Sequence, residues 1–255
     1  MKADPSPGLW GPIEAASPSR HQRITKGGDV HPRASGVPQR NRAFRRLIVH
    51  DGDDFYGERA ELGHNEYRFG ENTGGQTTGT FALYREGQRK ITFFSQRYGA
   101  GFMSTEDGWQ TVMQMKQTQP YAGNGPVNGA PALEVQLYQG RVRLRSFWSE
   151  KWSTRAPVLR RWIRYALDIT YSQDPSVGKA QMFADLNADG DFLDRGEVSP
   201  VLGMRTLAYV TAGGSGTIPL GDSIPGHLRL GIYHDTSVYG SATVDVDNVQ
   251  VLAAP

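Results

Sequence analysis

The stretch Leu228-Arg229-Leu230-Gly231-Ile232-Tyr233 alternates apolar residues with polar or small ones. Successive side chains of a β-strand point to opposite faces, so the leucines and Ile232 form one apolar face. Arg229 and Tyr233 share the other face, and Gly231 between them leaves space over the backbone for a ligand. The pattern predicts a half-buried strand whose polar side carries a cation and a phenol.

Similar short runs recur from about residue 43 onward, separated by clusters of Gly, Asn and Asp. Regularly spaced strands of this kind are typical of an all-β sandwich or jelly roll. We expect one β-jelly-roll domain over residues 21–255, a concanavalin-like sandwich of two curved antiparallel sheets, after an irregular segment over residues 1–20. The predicted strands cover residues 44–49, 58–62, 90–94, 111–117, 132–138, 141–147, 162–171, 180–184, 228–233 and 242–252.

Composition narrows the function classes. The 255 residues include no Cys, which excludes thiol catalysis, Cys-ligated zinc and disulfides. The formal net charge of +2 is too small to imply a nucleic-acid partner, and no apolar run reaches the length of a membrane span. The first residues contain no apolar signal core. We expect a secreted monomer whose leader is missing from this sequence.

Two further strands place chemically useful side chains on one face. Gln114 and Lys116 project from the side opposite two methionines, and Arg59 shares a face with Glu61. A plainer interpretation is that any half-solvated antiparallel sheet shows such alternation, and that Arg59 and Glu61 form a structural salt bridge. A carboxylated sugar can be bound and deprotonated by residues of these types, namely Arg, Lys, Gln and Tyr.

A predicted hairpin adds a second group of polar side chains. Its later strand carries three arginines on one face, and its earlier strand offers an acid, an amide and a phenol. We interpret these residues, together with Glu61, as candidate contacts to an acidic substrate, with a solvated sheet face as the alternative. The hairpin residues are Glu134, Gln136, Tyr138, Arg141, Arg143 and Arg145.

Several of these segments resemble one enzyme family. Residues 51–63, from Asp-Gly-Asp to Gly-Glu-Arg-Ala-Glu-Leu-Gly, are similar to the opening segment of the heparin lyase I-like polysaccharide lyases, which include the family 20 glucuronan lyases. The alginate lyase jelly rolls carry a comparable Arg-x-Glu-Leu. Residues 227–234 resemble the family's Lys-x-Gly-x-Tyr strand, and residues 244–249 resemble its closing strand. Val112-Met-Gln-Met-Lys116 sits where the family carries Gln-x-His. Arg229 replaces the usual Lys, and Lys116 replaces the usual His.

The resemblance implies cleavage of a uronic-acid polymer, such as glucuronan, alginate or a heparin-like chain, by β-elimination. Removal of the C5 proton requires that the neighbouring carboxylate be neutralised first. We assign this task to Arg59, Gln114 and Lys116. Tyr233, the family's catalytic tyrosine, would act as base, as acid to the leaving oxygen, or as both.

The identity of the base stays open at this point. An unperturbed tyrosine keeps its proton at neutral pH, so it needs a nearby cation such as Arg229 to act as a base. His64 and His50 lie close to the Arg-Ala-Glu-Leu segment and offer alternatives, although a loop histidine is more often only solvated.

An acidic stretch reads Asp-x-Asn-x-Asp-Gly-Asp from residue 185. Alternating oxygen ligands and the turn permitted by Gly190 are typical of a calcium loop, although the EF-hand acid at position twelve is absent because Gly196 stands there. A polar hairpin is the alternative. We expect a structural calcium ion with ligands from Asp185, Asn187, Asp189, Asp191, Asp194 and Glu197.

Two other functions remain compatible with this fold. One is a non-catalytic carbohydrate-binding module, because fold does not determine function. The other is a jelly-roll glycoside hydrolase, which needs two carboxyl groups facing each other across a groove. Glu61 and Glu134 are the candidates for that pair, but no Glu-x-Asp-x-x-Glu cluster accompanies them. The basic face with its tyrosine favours an acidic substrate.

Overall fold

The computed structural model describes residues 13–24, 44–53, 57–64, 84–99, 102, 108–117, 130–211 and 219–254. Within these ranges the chain forms strands joined by turns, with one short 3-10 turn at Pro18–Arg20. The strands are β1 (Ile13–Ala15), β2 (His21–Ile24), β3 (Phe44–Val49), β4 (Arg59–His64), β5 (Arg89–Tyr98), β6 (Gln110–Gln117), β7 (Leu133–Tyr138), β8 (Arg141–Ser146), β9 (Ser149–Arg155), β10 (Trp162–Thr170), β11 (Lys179–Ala184), β12 (Leu202–Gly203), β13 (Ala208–Tyr209), β14 (Ser223–Ile224), β15 (Gly226–His234) and β16 (Ala242–Ala253).

Two seven-stranded sheets make up the fold. The front sheet has the order β1-β4-β15-β6-β7-β8-β9, and the back sheet has the order β12-β11-β10-β5-β16-β3-β2. Their strand pairs are antiparallel, and β13 and β14 form a separate two-stranded ribbon. Strands distant in the chain lie side by side in each sheet, as in a jelly roll. The predicted all-β jelly-roll sandwich is confirmed.

The core lies between the two sheets. The alternation in each strand turns one set of side chains inward, so Leu62, Met113 and Leu230 from the front sheet join Leu47 and Phe94 from the back sheet in one buried cluster. Full burial of such a side chain stabilises the fold by about 1.5–3 kcal/mol. Because the core takes one face of the front sheet, the opposite face is left for polar side chains.

The structure differs from the sequence prediction at two edges. β1 lies inside residues 1–20, which were predicted to be irregular, and it pairs with β4 at the edge of the front sheet. β9 was missed because its sequence, Ser-Glu-Lys-Trp-Ser-Thr-Arg, lacks apolar alternation. β9 is an exposed edge strand, where charged side chains are common and burial leaves little pattern. No helix in the described part of the chain is long and apolar enough to cross a membrane.

Candidate active site

Five neighbouring strands of the front sheet, β4, β15, β6, β7 and β8, turn their polar side chains away from the core. We call this surface the polar face. Pairing register aligns its residues in two rows that run across the strands. The first row is Arg59, Tyr233, Thr111, Gln136 and Arg143, and the second row is Arg229, Gln114, Glu134 and Arg145.

Tyr233 lies in the first row and contacts one cationic and one aromatic neighbour. The guanidinium carbon of Arg59 is 4.0 Å from the centroid of the Tyr233 ring, and the Trp109 ring meets it edge-on at 4.8 Å between centroids. Gly57 has a φ of +101°, and a Cβ built on it would lie 2.8 Å from Cε2 of Tyr233. The half-buried Tyr233 is therefore held on three sides, and only glycine fits beside it.

Glu61 is the buried anion of the site, with 1% of its surface exposed. Nε2 of Gln114 donates to Oε1 of Glu61 at 2.6 Å. Nη1 of Arg59 and Nη1 of Arg229 lie 3.6 and 3.9 Å from Oε2 of Glu61. Glu61 was predicted to contact the substrate. Its carboxylate is instead buried and bound by Arg59, Gln114 and Arg229.

Gly231 lies where the backbones of β15 and β4 approach each other closely. It is the pairing partner of Glu61, and a Cβ built on it would lie 2.2 Å from the carbonyl oxygen of Ala60. No other residue fits this close backbone approach. Glycine therefore lets β15 lie close to β4, and Gln114 of β6 reaches Glu61 of β4 across β15.

Lys116 is a half-buried cation beside this cluster. Burial, together with the nearby charges of Arg229 and Arg59, lowers the pKa of Lys116 to about 8, against the opposing effect of Glu61 and Glu134. A lysine in this range changes its charge close to physiological pH, which is typical of functional sites. Lys116 can therefore serve as a cation below pH 8 and as a base above it.

His227 is a member of the polar face that the sequence prediction missed. It is the pairing partner of Lys116, is 3% exposed, and accepts a hydrogen bond at Nε2 from Nε of Arg229 at 2.9 Å. His227 therefore places an imidazole on β15 beside Lys116. Strand β6, which resembles the family's Gln-x-His strand, carries no histidine of its own. The signal was present in the sequence, since His227 continues the polar alternation of Arg229 and Tyr233.

The arginine strand is tied into the same face. Oε1 of Gln136 accepts from Nη2 of Arg143 at 2.6 Å and from Nη1 of Arg145 at 3.1 Å. Nη1 of Arg145 also lies 2.9 Å from Oε1 of Glu134, and the guanidinium of Arg143 stacks 3.9 Å from the Tyr138 ring centroid. Burial raises the pKa of Glu134, against the lowering effect of Arg145.

The polar face is strongly basic. In the described residues of its five strands, six Lys or Arg side chains stand against two carboxylates. Arg141 is exposed at the start of β8, while the two carboxylates are almost fully buried. The charge open to solvent is therefore positive and suits an acidic ligand. The cations are Arg59, Lys116, Arg141, Arg143, Arg145 and Arg229, and the acids are Glu61 and Glu134.

Of the two alternative histidine bases, the structure describes the side chain of His50 alone, and it does not join this cluster. His64 ends β4, and its side chain lies outside the described part of the structure. His50 follows β3 of the back sheet, and its Nδ1 contacts Oγ of Ser241. Its strand is thus separated from Tyr233 by the core.

The acidic loop between β11 and β12 folds around its own backbone. Asp185 accepts from the amides of Asp189 and Gly190, and the buried Glu197 accepts from that of Leu186. Asp191 accepts from the amide of Leu193.

One part of this loop brings predicted ligands together. Nδ2 of Asn187 lies 2.9 Å from Oδ2 of Asp189 and 2.6 Å from Oδ2 of Asp194, so three of the six predicted ligands converge with an amide at their centre. Across the described residues, no group of three or more acidic or histidine side chains could hold a metal ion. Calcium here stays a prediction.

Comparison with known proteins supports the fold. No protein-family model matches the chain, and no curated protein sequence matches it. An endo-β-1,4-glucuronan lyase from the fungus Trichoderma reesei aligns with a TM-score of 0.54 and 13% identity, over 91% of this chain and 90% of that one. A polysaccharide lyase family 7 alginate lyase from Zobellia galactanivorans aligns with a TM-score of 0.53 and 10% identity, over 97% and 96%.

A third similar structure is an alginate lyase mutant in complex with an alginate trisaccharide, with a TM-score of 0.52, 11% identity, and coverage of 95% and 88%. The chain therefore has the β-jelly-roll architecture that is found in these polysaccharide lyases. At sequence identities of 10–13%, the similarity to these structures establishes the fold alone.

Proposed function

We propose that this protein is a polysaccharide lyase that cleaves a uronic-acid polymer by β-elimination on the polar face. One observation carries the proposal. Arg59, Gln114 and Arg229, from three different strands, converge on the buried carboxylate of Glu61, and Arg59 also stacks on Tyr233. Hydrogen-bond donors, cations and a phenol that meet in this way are what uronate elimination requires.

The proposed chemistry removes one proton and breaks one bond. A base takes the C5 proton of a uronate, the C5 electrons form the C4–C5 double bond, and the C4–O bond breaks. An acid then protonates the leaving oxygen. Because Tyr233 is half-buried beside the Arg59 guanidinium, we assign it to these proton transfers. The guanidinium on the ring face also places a positive charge beside the reacting sugar.

The uronate carboxylate must lose its effective charge before the C5 proton becomes acidic enough to leave. Arg59 and Lys116 supply positive charge, and Gln114 has a second N–H on the amide nitrogen that donates to Glu61. Glu61 positions Arg59, Gln114 and Arg229, and it needs no contact with the sugar. The arginines of β8 would bind the carboxylates of neighbouring sugars.

The direct test is the release of unsaturated ends, read as ultraviolet absorbance, from glucuronan, alginate and a heparin-like chain. Replacing Tyr233 with Phe should lower the rate by about 10²-fold or more. The matched control is Tyr239→Phe, since Tyr239 is 78% exposed in a turn. Normal release of unsaturated ends by Tyr233→Phe would contradict the proposed role of the phenol.

The alternative functions have weaker support. A hydrolase needs an accessible acid, but Glu61 and Glu134 are 1% and 3% exposed and are already bound by Gln114 and Arg145. A binding module would hold the polymer without cleaving it. Product without ultraviolet absorbance would favour a hydrolase, and binding without product would favour the module.

A polymer substrate favours a secreted enzyme, and we propose action as a monomer with no nucleic-acid or membrane partner. We also propose that the protein is related to the heparin lyase I-like polysaccharide lyases. A structural calcium ion at the acidic loop is supported by the convergence of Asn187, Asp189 and Asp194, where a rotated amide would present an oxygen in place of its nitrogen. No catalytic step passes through that ion.

A further inference from the structure

The turn between β8 and β9 has a conformation that its residues disfavour. Ser146 pairs with Ser149, so Phe147 and Trp148 form a two-residue hairpin turn. Both have positive φ, at +45° and +66°. Hairpin turns of this kind usually carry Asn and Gly, because bulky side chains are strained in the left-handed region. Two large aromatic residues therefore stand where the backbone alone would select small ones.

The surrounding structure holds this turn in place. Phe147 packs against the satellite core of Ala208, Val210 and Ile224, near the β13–β14 ribbon. The amide of Phe147 donates to the carbonyl oxygen of Pro131 at 3.1 Å. Packing of Phe147 accounts for one of the two aromatic residues, but it leaves Trp148 without a structural reason.

Trp148 is 55% exposed and lies at the margin of the polar face. Nη2 of Arg145 donates to the carbonyl oxygen of Trp148, while Nη1 of the same guanidinium contacts Glu134 and Gln136. A single guanidinium group thus joins the turn to the second row of the polar face. An exposed tryptophan is therefore bonded through its backbone to one of the cations that suit uronate carboxylates.

We propose that Trp148, Arg143 and Arg145 form an outer subsite for the acidic polysaccharide. Trp148 stacks on the apolar face of a sugar ring, and the arginines bind carboxylates of the same or the next sugar. Arg143 lies in the same cross-strand row as Tyr233, three strand spacings or about 14 Å away, so one chain can occupy both places. This inference rests on the proposed function and adds a residue that binds without taking part in the chemistry.

The test measures binding apart from cleavage. Trp148→Gly and Trp148→Phe are compared by affinity electrophoresis in alginate and in glucuronan, each with Tyr233→Phe so that the polymer stays intact. Glycine suits the positive φ, so Trp148→Gly should unfold at the same or a higher temperature than the parent. Its dissociation constant should rise about tenfold, while Trp148→Phe should keep most of the affinity. Leu193→Ala, at an 87% exposed apolar residue of the acidic loop, is the control and should bind as the parent does.

The outcomes separate this inference from the proposed function. Equal binding by Trp148→Gly and the parent would overturn the subsite and leave the lyase intact. A lower unfolding temperature with the same loss of binding in Trp148→Phe would assign Trp148 a structural role and also overturn it. Selective loss of binding, with no unsaturated product from the unmodified enzyme, would support the subsite on a binding module. If neither polymer retards the parent, the subsite for these polymers fails, and the release of unsaturated ends decides the proposed function separately.

Discussion

The guanidinium of Arg59 stacks on the ring of Tyr233, 4.0 Å from its centroid, while its Nη1 lies 3.6 Å from the buried Glu61 carboxylate. One planar cation therefore joins the proposed proton-transfer residue to the anion at the base of the site. Lysine cannot reproduce both contacts, because its charge is compact and its stem is flexible.

Arg59→Lys should accordingly reduce kcat by about 10- to 100-fold with a smaller change in KM. The measurement is the initial rate of unsaturated-end formation over a range of polymer concentration. Arg89→Lys, in the back sheet where Arg89 pairs with Asp168, is the matched control and should keep the parent rate. An Arg59→Lys enzyme with a normal kcat would remove the stack from the mechanism.

The charge of Lys116 should set the alkaline side of the pH profile. With a pKa of about 8, the side chain loses its charge as the pH rises through that value. If Lys116 neutralises the substrate carboxylate, kcat/KM falls above about pH 8, and Lys116→Arg stays active there because arginine keeps its proton. Rates between about pH 6 and pH 10 test this. A rate that rises through pH 8 would instead assign Lys116 as the base.

Glu61→Gln should move that alkaline limb to lower pH. The Glu61 carboxylate raises the pKa of Lys116, so loss of its charge lowers the pKa further. Activity should also fall, because Arg59 and Arg229 lose the anion that positions them. The control is Glu86→Gln, at an exposed turn before β5, which should leave the limb in place. A fall in activity with an unchanged pH profile would mean that Glu61 acts on geometry alone.

Lys116 should reduce the stability of the fold at neutral pH. Its pKa is about 8 in the folded protein, against the ordinary 10.5 of a lysine, so the folded state disfavours the charged form. Replacement with Met should raise the free energy of unfolding at pH 7 by up to about 3 kcal/mol. Between pH 8 and 10.5 the unfolded state binds more protons, so the parent gains stability with pH and the difference narrows.

Denaturant unfolding at about pH 7 and about pH 10 measures this difference. The exposed Lys151 of β9 offers the matched control, and Lys151→Met should show little change at either pH. A destabilised Lys116→Met variant would indicate that the lysine contributes favourable contacts which exceed the penalty of burying its charge.

Calcium should raise the unfolding temperature if it binds the acidic loop. The expected result is a higher midpoint in calcium than in chelator, with no such rise in Asp189→Ala, because Asp189 is one of the three converging ligands. Asp222→Ala, in the turn before β14, provides the control. Calorimetry that finds equal calcium binding in Asp189→Ala would show that the loop is a polar hairpin held by its own amides.

Much of the fold followed from local pattern, because burial of one strand face forces a period of two. The alternation of Met113 with Gln114, and of Leu230 with Arg229, was enough to assign both strands and both faces. The same reasoning failed for β9, whose exposed edge position imposes no apolar period. His227 was overlooked for another reason, since the predicted strand over residues 228–233 began one residue after it.

The sequence by itself determined that Arg229 shares a strand face with Tyr233, and Gln114 with Lys116. Only the tertiary structure decided that β4, β15 and β6 lie side by side, so that Gln114 reaches Glu61 across β15. Side-chain direction along a strand is fixed by local backbone geometry, whereas strand order depends on contacts between residues far apart in the chain. The convergence around Glu61 belongs to this second kind of information.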